Sequence, residues 1–141
     1  MAADAPMPRP SAPAPAADAI SRFDLQEEIT AANDSRPWAS GVFSRTLVKR
    51  PDLRLVLVML EAGARMKDHH ADGSVAVQVL DGRIRLRAAE AEEELGPGQM
   101  VTMAPSMRHE VEALDACAFL LTLSWPESEK LREMPHRGYG S

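Results

Sequence analysis

The sequence predicts an all-β domain closed into a barrel or jelly roll, and three observations carry that expectation. Across residues 38–125, short runs rich in Val, Leu and Met recur at close spacing. Turn signals built from Gly, Pro and Asp separate them. About eight short strands at such spacing fit a barrel or jelly roll better than strand–helix–strand units.

The expected strands are residues 42–48, 53–60, 75–80, 83–87, 92–95, 100–103, 110–113 and 118–124. The breakers are Arg50-Pro51-Asp52, Glu61-Ala62-Gly63, Asp72-Gly73, Asp81-Gly82, Gly96-Pro97-Gly98 and Leu114-Asp115. Residues 1–18 are mostly Ala and Pro, with little apolar surface to bury and few backbone donors, and are expected to be a disordered tail. Residues 19–37 form an N-terminal extension with two readings. Ile20, Phe23 and Ile29 fit one helix face with Asp24, Glu27 and Glu28 opposite, and an edge strand is the alternative. Asn33-Asp34-Ser35-Arg36-Pro37 reads as a turn. Residues 126–141 are expected to hold a short helix and a tail. Pro126 suits a first helical position and the early glutamates suit the positive end of the dipole, while Leu131 and Met134 make a face for an open end of the barrel.

The chain has 141 residues, 45% of them apolar, as expected of one globular domain. A net charge of −5 argues against nucleic acid, and no polybasic run suggests an anionic membrane. No apolar run of transmembrane length exists, and prolines interrupt any leader-like N-terminus. Cys117 is the only cysteine and lies in an apolar run, so it reads as a small core residue in a reduced, cytoplasmic protein.

The candidate chemistry lies in three histidines. His69 and His70 follow the run at 53–60 and its turn, and His109 comes about forty residues later, behind a second Gly-opened strand. This pattern resembles the cupin family. The first cupin motif runs Gly, five residues, His-x-His, three or four residues, Glu, six residues, Gly. Here Gly63 and Gly82 frame it, and Val75 occupies the glutamate position. Counting from Gly63 makes the histidine ligands His69 and Ala71, whereas counting back from Val75 makes them Asp68 and His70. The second motif opens at Gly98 and places His109 eleven positions on, with Ala104, Ser106 and Ala113 at its Pro, Gly and Asn positions. The segments His69-His70-Ala71-Asp72-Gly73 and Gln78-Val79-Leu80-Asp81-Gly82 resemble a subgroup of small uncharacterised cupins.

The resemblance implies a cupin jelly roll over residues 38–125 and a barrel site for a divalent transition metal (Zn, Fe, Mn, Ni or Cu). His69, His70 and His109 are the candidate ligands, with Gln78 as a weaker one. Three imidazoles with an open position suffice for zinc or copper. Successive strand side chains alternate, so a bulge or turn at Ala71-Asp72-Gly73 is needed for both neighbouring histidines to converge. By the same alternation Gln78 faces away. Asp68 could orient a histidine or stand in a solvated loop, and Glu110 alternates away from His109 and is expected to be exposed. A metal-free pocket, with the histidines only hydrogen-bonding a ligand, is the alternative. His136 is expected to be solvated.

Arg83, Arg85 and Arg87 share one strand face. Facing inward they would clamp an anion; facing outward they would pair Arg87 with Glu92 and Arg85 with Glu94 across a tight turn, the favoured reading. Met59, Met66, Met100, Met103 and Met107 are expected to fill core gaps. Trp38 and Trp125 flank the barrel at its rim or in a subunit contact, and residues 53–60 could pair across a homodimer. The functional expectation is a small-molecule-binding domain. A metal-dependent enzyme, oxygenase or isomerase, and a structural dimer module are the alternatives.

Overall fold

A computed structural model describes residues 20–69 and 72–124, with the backbone alone at Asp68 and His69. The tail at 1–18 and the C-terminal helix expected beyond Pro126 lie outside the described residues, as do His70, Trp125 and His136. Among the described residues, nine strands form two antiparallel sheets: β1 (Val42–Lys49), β2 (Leu53–Leu60), β3 (Arg65–His69), β4 (Val75–Asp81), β5 (Ile84–Ala88), β6 (Ala91–Leu95), β7 (Met100–Met103), β8 (His109–Ala113) and β9 (Cys117–Ser124). One sheet runs β1-β2-β9-β4-β7 and the other β3-β8-β5-β6. Alternation decides which residues fill the space between them. Val56, Val58 and Leu60 meet Val75, Val77 and Val79, Phe119, Leu121 and Leu123, and, from the second sheet, Ile84, Leu86, Val111 and Ala113. Phe119 at the centre is fully buried.

The extension is helical from Leu25 on, and Ile20 and Phe23, expected to share a helix face with Ile29, instead lie exposed ahead of the helix. Helix α1 (Leu25–Asp34) starts where the Asp24 side chain accepts the Glu27 backbone N–H at 3.1 Å, with Glu27 and Glu28 at the positive dipole end. Ile29 and Ala32 pack onto Leu57, Met59 and Ala118, with Trp38 and Phe43 at the margin. The helix therefore covers the outward side of β2 and β9. Trp38 closes this cluster: its Nε1 donates to the Ala32 carbonyl at 3.1 Å, and the Arg36 guanidinium lies 4.6 Å over its ring. Because β2 pairs with both β1 and β9, the strand expected to pair across a dimer has both ladders filled within the chain.

One strand escaped the sequence reading. Strand β3 carries Arg65, Lys67 and Asp68 around a single apolar residue, Met66, so it lacks an apolar run. Its ladder with β8 stabilises it instead. Met59 and Met103 are buried and Met66 and Met107 pack against the core, whereas Met100 is exposed.

Candidate functional site

The two ends of the barrel differ. At one end the chain crosses between sheets four times, from β2 to β3, β4 to β5, β6 to β7 and β8 to β9. Backbone bonds tie these crossings together, Gly63 N–H to the Ala113 carbonyl at 2.9 Å and Gly98 N–H to the Val79 carbonyl at 2.8 Å. At the other end lie the β3–β4 and β7–β8 connections, the mouth of the barrel. The His69–His109, Leu123–Val75 and Val75–Met103 pairs all stand there.

His109 opens β8 in phase with Val111 and Ala113, so it points inward, and only 4% of it is exposed. Its Nδ1 lies 3.2 Å from the Met107 carbonyl oxygen. A carbonyl only accepts, so Nδ1–H is the donor in this contact. Metal-binding imidazoles are commonly oriented in this way, one ring nitrogen donating to a backbone carbonyl.

Across the ladder from His109 stands His69. The register shifts between Met66 and His69: Met66 opposes Val111, and His69 opposes His109. Three steps on β3 thus match two on β8, an inserted residue that exchanges the faces of the strand beyond it. Without this bulge His69 would share the outward phase of Arg65, which opposes Glu112. This register shift lies between Met66 and His69, ahead of the Ala71-Asp72-Gly73 segment where a bulge or turn was expected.

Gln78 does not join the histidines. It is exposed on the outer face of β4, between the inward Val77 and Val79, and this removes it as a ligand. Val75 heads that inward row, 3% exposed, between Leu123 and Met103 on its neighbouring strands. Among the described residues, no three His, Cys, Asp or Glu side chains gather closely enough to hold a metal ion.

The arginines face outward, as favoured. Arg85 pairs with Glu92 and Glu94 at 3.1 Å and with Glu112 at 3.4 Å, and Arg87 with Glu92 and Glu110 at 3.4 Å. The hydrogen bond to Glu94 is the first cause holding the Arg85 guanidinium above its ordinary value. Glu110 is turned away from the barrel but is half-buried rather than free in solvent, at 2.6 Å from Arg65. An open depression of about 320 Å³, lined by Arg87, Ala89, Arg108, His109 and Glu110, lies beside the mouth. Cys117 is buried at the opposite end, opposite Leu60 on β2, and burial pushes its thiol up to about 11.

No protein-family profile matches the chain, and no curated protein sequence does. Solved structures do. A conserved protein of unknown function from Streptococcus pyogenes superposes with TM-score 0.64 at 26% identity, over 76% of this chain and 89% of that one. A cupin superfamily protein from Desulfitobacterium hafniense superposes with TM-score 0.59 at 14% identity, over 84% and 94%. The fold is that of a small cupin-type domain. Salicylate 1,2-dioxygenase from Pseudoaminobacter salicylatoxidans, in adducts with gentisate, matches with TM-score 0.63 at 21% identity, over 83% of this chain and 34% of that longer one.

The cupin frame explains why its glycines recur here. Gly63, Gly82 and Gly98 all have positive φ. At Gly82 a Cβ would stand 2.1 Å from the Ala116 carbonyl oxygen, so the crossing has no room for a side chain. Ser106, at the glycine position of the second cupin motif, keeps that backbone with φ 68°. The frame thus survives a substitution in its glycine, whereas Val75 replaces a carboxylate by an isopropyl group in the barrel wall. Among the described residues, no helix is long and apolar enough to cross a membrane.

Proposed function

We propose that this cupin-type domain binds a small molecule in the mouth of its barrel, in a site that can hold a divalent transition metal through His109 and His69. The observation that carries the reading is the β3–β8 register, in which the bulge sets His69 directly opposite a buried, inward His109. Directly opposed residues of an antiparallel pair share one face of the sheet. Imidazole nitrogen suits Zn, Cu, Ni, Fe or Mn. His70, outside the described residues, remains the third candidate ligand. With Val75 in the wall, the site has no carboxylate at the cupin glutamate position, which favours nitrogen-loving Zn or Cu over harder ions.

In this reading the metal, when bound, supplies a Lewis acid that polarises an oxygen of the ligand. The Met107 carbonyl orients His109, and Val75, Leu123 and Met103 belong to the apolar wall. A metal-dependent enzyme of the oxygenase or isomerase class is the second reading, favoured by the likeness to a dioxygenase domain. Metal analysis of protein purified without a chelating tag tests the proposal. Near-stoichiometric metal that is lost in His109→Ala is expected, and metal content unaltered by that substitution refutes the ligand assignment. Turnover by the loaded protein would move the account to the enzyme reading.

A further inference from the structure

Arg54 and His109 are the buried polar side chains of the described residues, and the fold brings both to the same end of the barrel. Arg54 lies on β2 in the inward phase of Val56, Val58 and Leu60, with only 6% of it exposed. It opposes Leu123 on β9, which opposes Val75 on β4, which opposes Met103 on β7. That row ends at the mouth, where β8 begins with His109. A guanidinium cannot shed its charge, so its burial in an apolar barrel costs stability unless acceptors surround it.

The register adds a second cation. Beyond the shift in the β1–β2 ladder, Lys49 stands directly opposite Arg54. Like charges facing each other across an antiparallel pair are destabilising. They become useful where an anion comes between them. A guanidinium has five N–H donors and a bidentate acceptor takes two, so an arginine already engaged by the protein retains donors for an anion. Asp72, on the β3–β4 connection, and Asp52, in the β1–β2 turn, are described carboxylates at this end.

We infer that the small molecule bound in the mouth carries an oxyanion, a carboxylate or phosphate group, received by Arg54 with Lys49 beside it. This rests on the mouth being the binding site and adds the chemical class of its ligand. It does not depend on the metal.

Acetate and inorganic phosphate serve as probes, with acetamide as the uncharged counterpart of acetate. Each is titrated into the full chain while the Arg54 Nε–H resonance is followed by NMR. Acetate or phosphate is expected to shift that resonance saturably, and acetamide is not. Saturation by acetate alone assigns a carboxylate, and by phosphate alone a phosphate. Arg54→Gln should weaken anion binding about tenfold or more, the worth of one charge-assisted hydrogen bond. Arg54→Lys should restore part of it, and Lys49→Gln, at an exposed position, should weaken it severalfold without loss of fold. Metal content in Lys49→Gln should equal that of the unaltered protein, which separates this inference from the metal reading. Equal responses to acetate and acetamide, no saturable shift with either anion, or full anion affinity in both Lys49→Gln and Arg54→Gln would overturn it.

Discussion

Replacing Val75 by glutamate puts the missing carboxylate into the wall of the mouth and asks whether a metal lies there to receive it. Val75 is 3% exposed, and its ladder partners Leu123 and Met103 are apolar and buried. An uncompensated carboxylate at such a position costs about 3–5 kcal/mol, or a melting temperature lower by roughly 6–20 °C in a domain of this size. If His109 and His69 present their imidazoles to the same space, the new carboxylate joins them and metal affinity rises. Metal at a hundred times its dissociation constant returns about 2.7 kcal/mol. Arg54 stands two strands away in the same row and could meet the glutamate without metal. The deciding quantity is therefore the gain on adding Zn or Mn, not the stability of the apo variant. Differential scanning fluorimetry with and without metal, run beside Val75→Gln, measures it. A metal-dependent gain in Val75→Glu well above those of Val75→Gln and the unaltered chain is expected. Equal gains in all three refute the convergence of ligands on this spot.

Other parts of the account are tested more simply. Phe119→Ala, at the fully buried centre of the core, should cost about 3–5 kcal/mol in a denaturant titration with unchanged slope. Arg85→Ala, which removes the hub of the outer ion-pair cluster, should destabilise the domain at low salt, and the difference should shrink as salt is raised. Equal effects at all ionic strengths would deny that charge pairing matters there. The Cys117 thiol should resist alkylation in the native protein at pH 8 and react once unfolded. Its value rises from 9.0 to about 11 because burial disfavours the thiolate, so folding binds the proton more tightly. The corresponding stability is present below pH 9 and is lost as pH climbs from about 9 to about 11, which pH-dependent unfolding of Cys117→Ala beside the unaltered chain will read.

Much of the fold was legible because alternation and turn residues are local signals. Residues 53–60 and 100–103 match β2 and β7 end to end, and five of the other strands were displaced by a single residue at an end. The outward ion pairs of Arg85 and Arg87 followed from strand phase and a tight turn alone. Strand β3 was not legible, because its stability comes from pairing with β8 rather than from its own side chains. A capping signal, Asp24 three residues before Glu27, was available to choose the helix over the strand in the extension. The bulge at residues 67–68 has no Gly or Pro to announce it, and it is what sets His69 opposite His109 in the ladder. Arg54 was hidden for the opposite reason. It sits inside an apolar run, where one charged residue reads as an interruption until the phase of β2 shows it pointing inward.

Diffraction from crystals of the metal-loaded protein, with anomalous data collected at the edge of the bound metal, tests the central claim most directly. The account predicts an anomalous peak in the mouth of the barrel about 2.0–2.1 Å from His109 Nε2 if the metal is zinc, with His69 as a second ligand. A peak elsewhere, or an ordered His69 imidazole facing solvent on the outer side of β3, would contradict it.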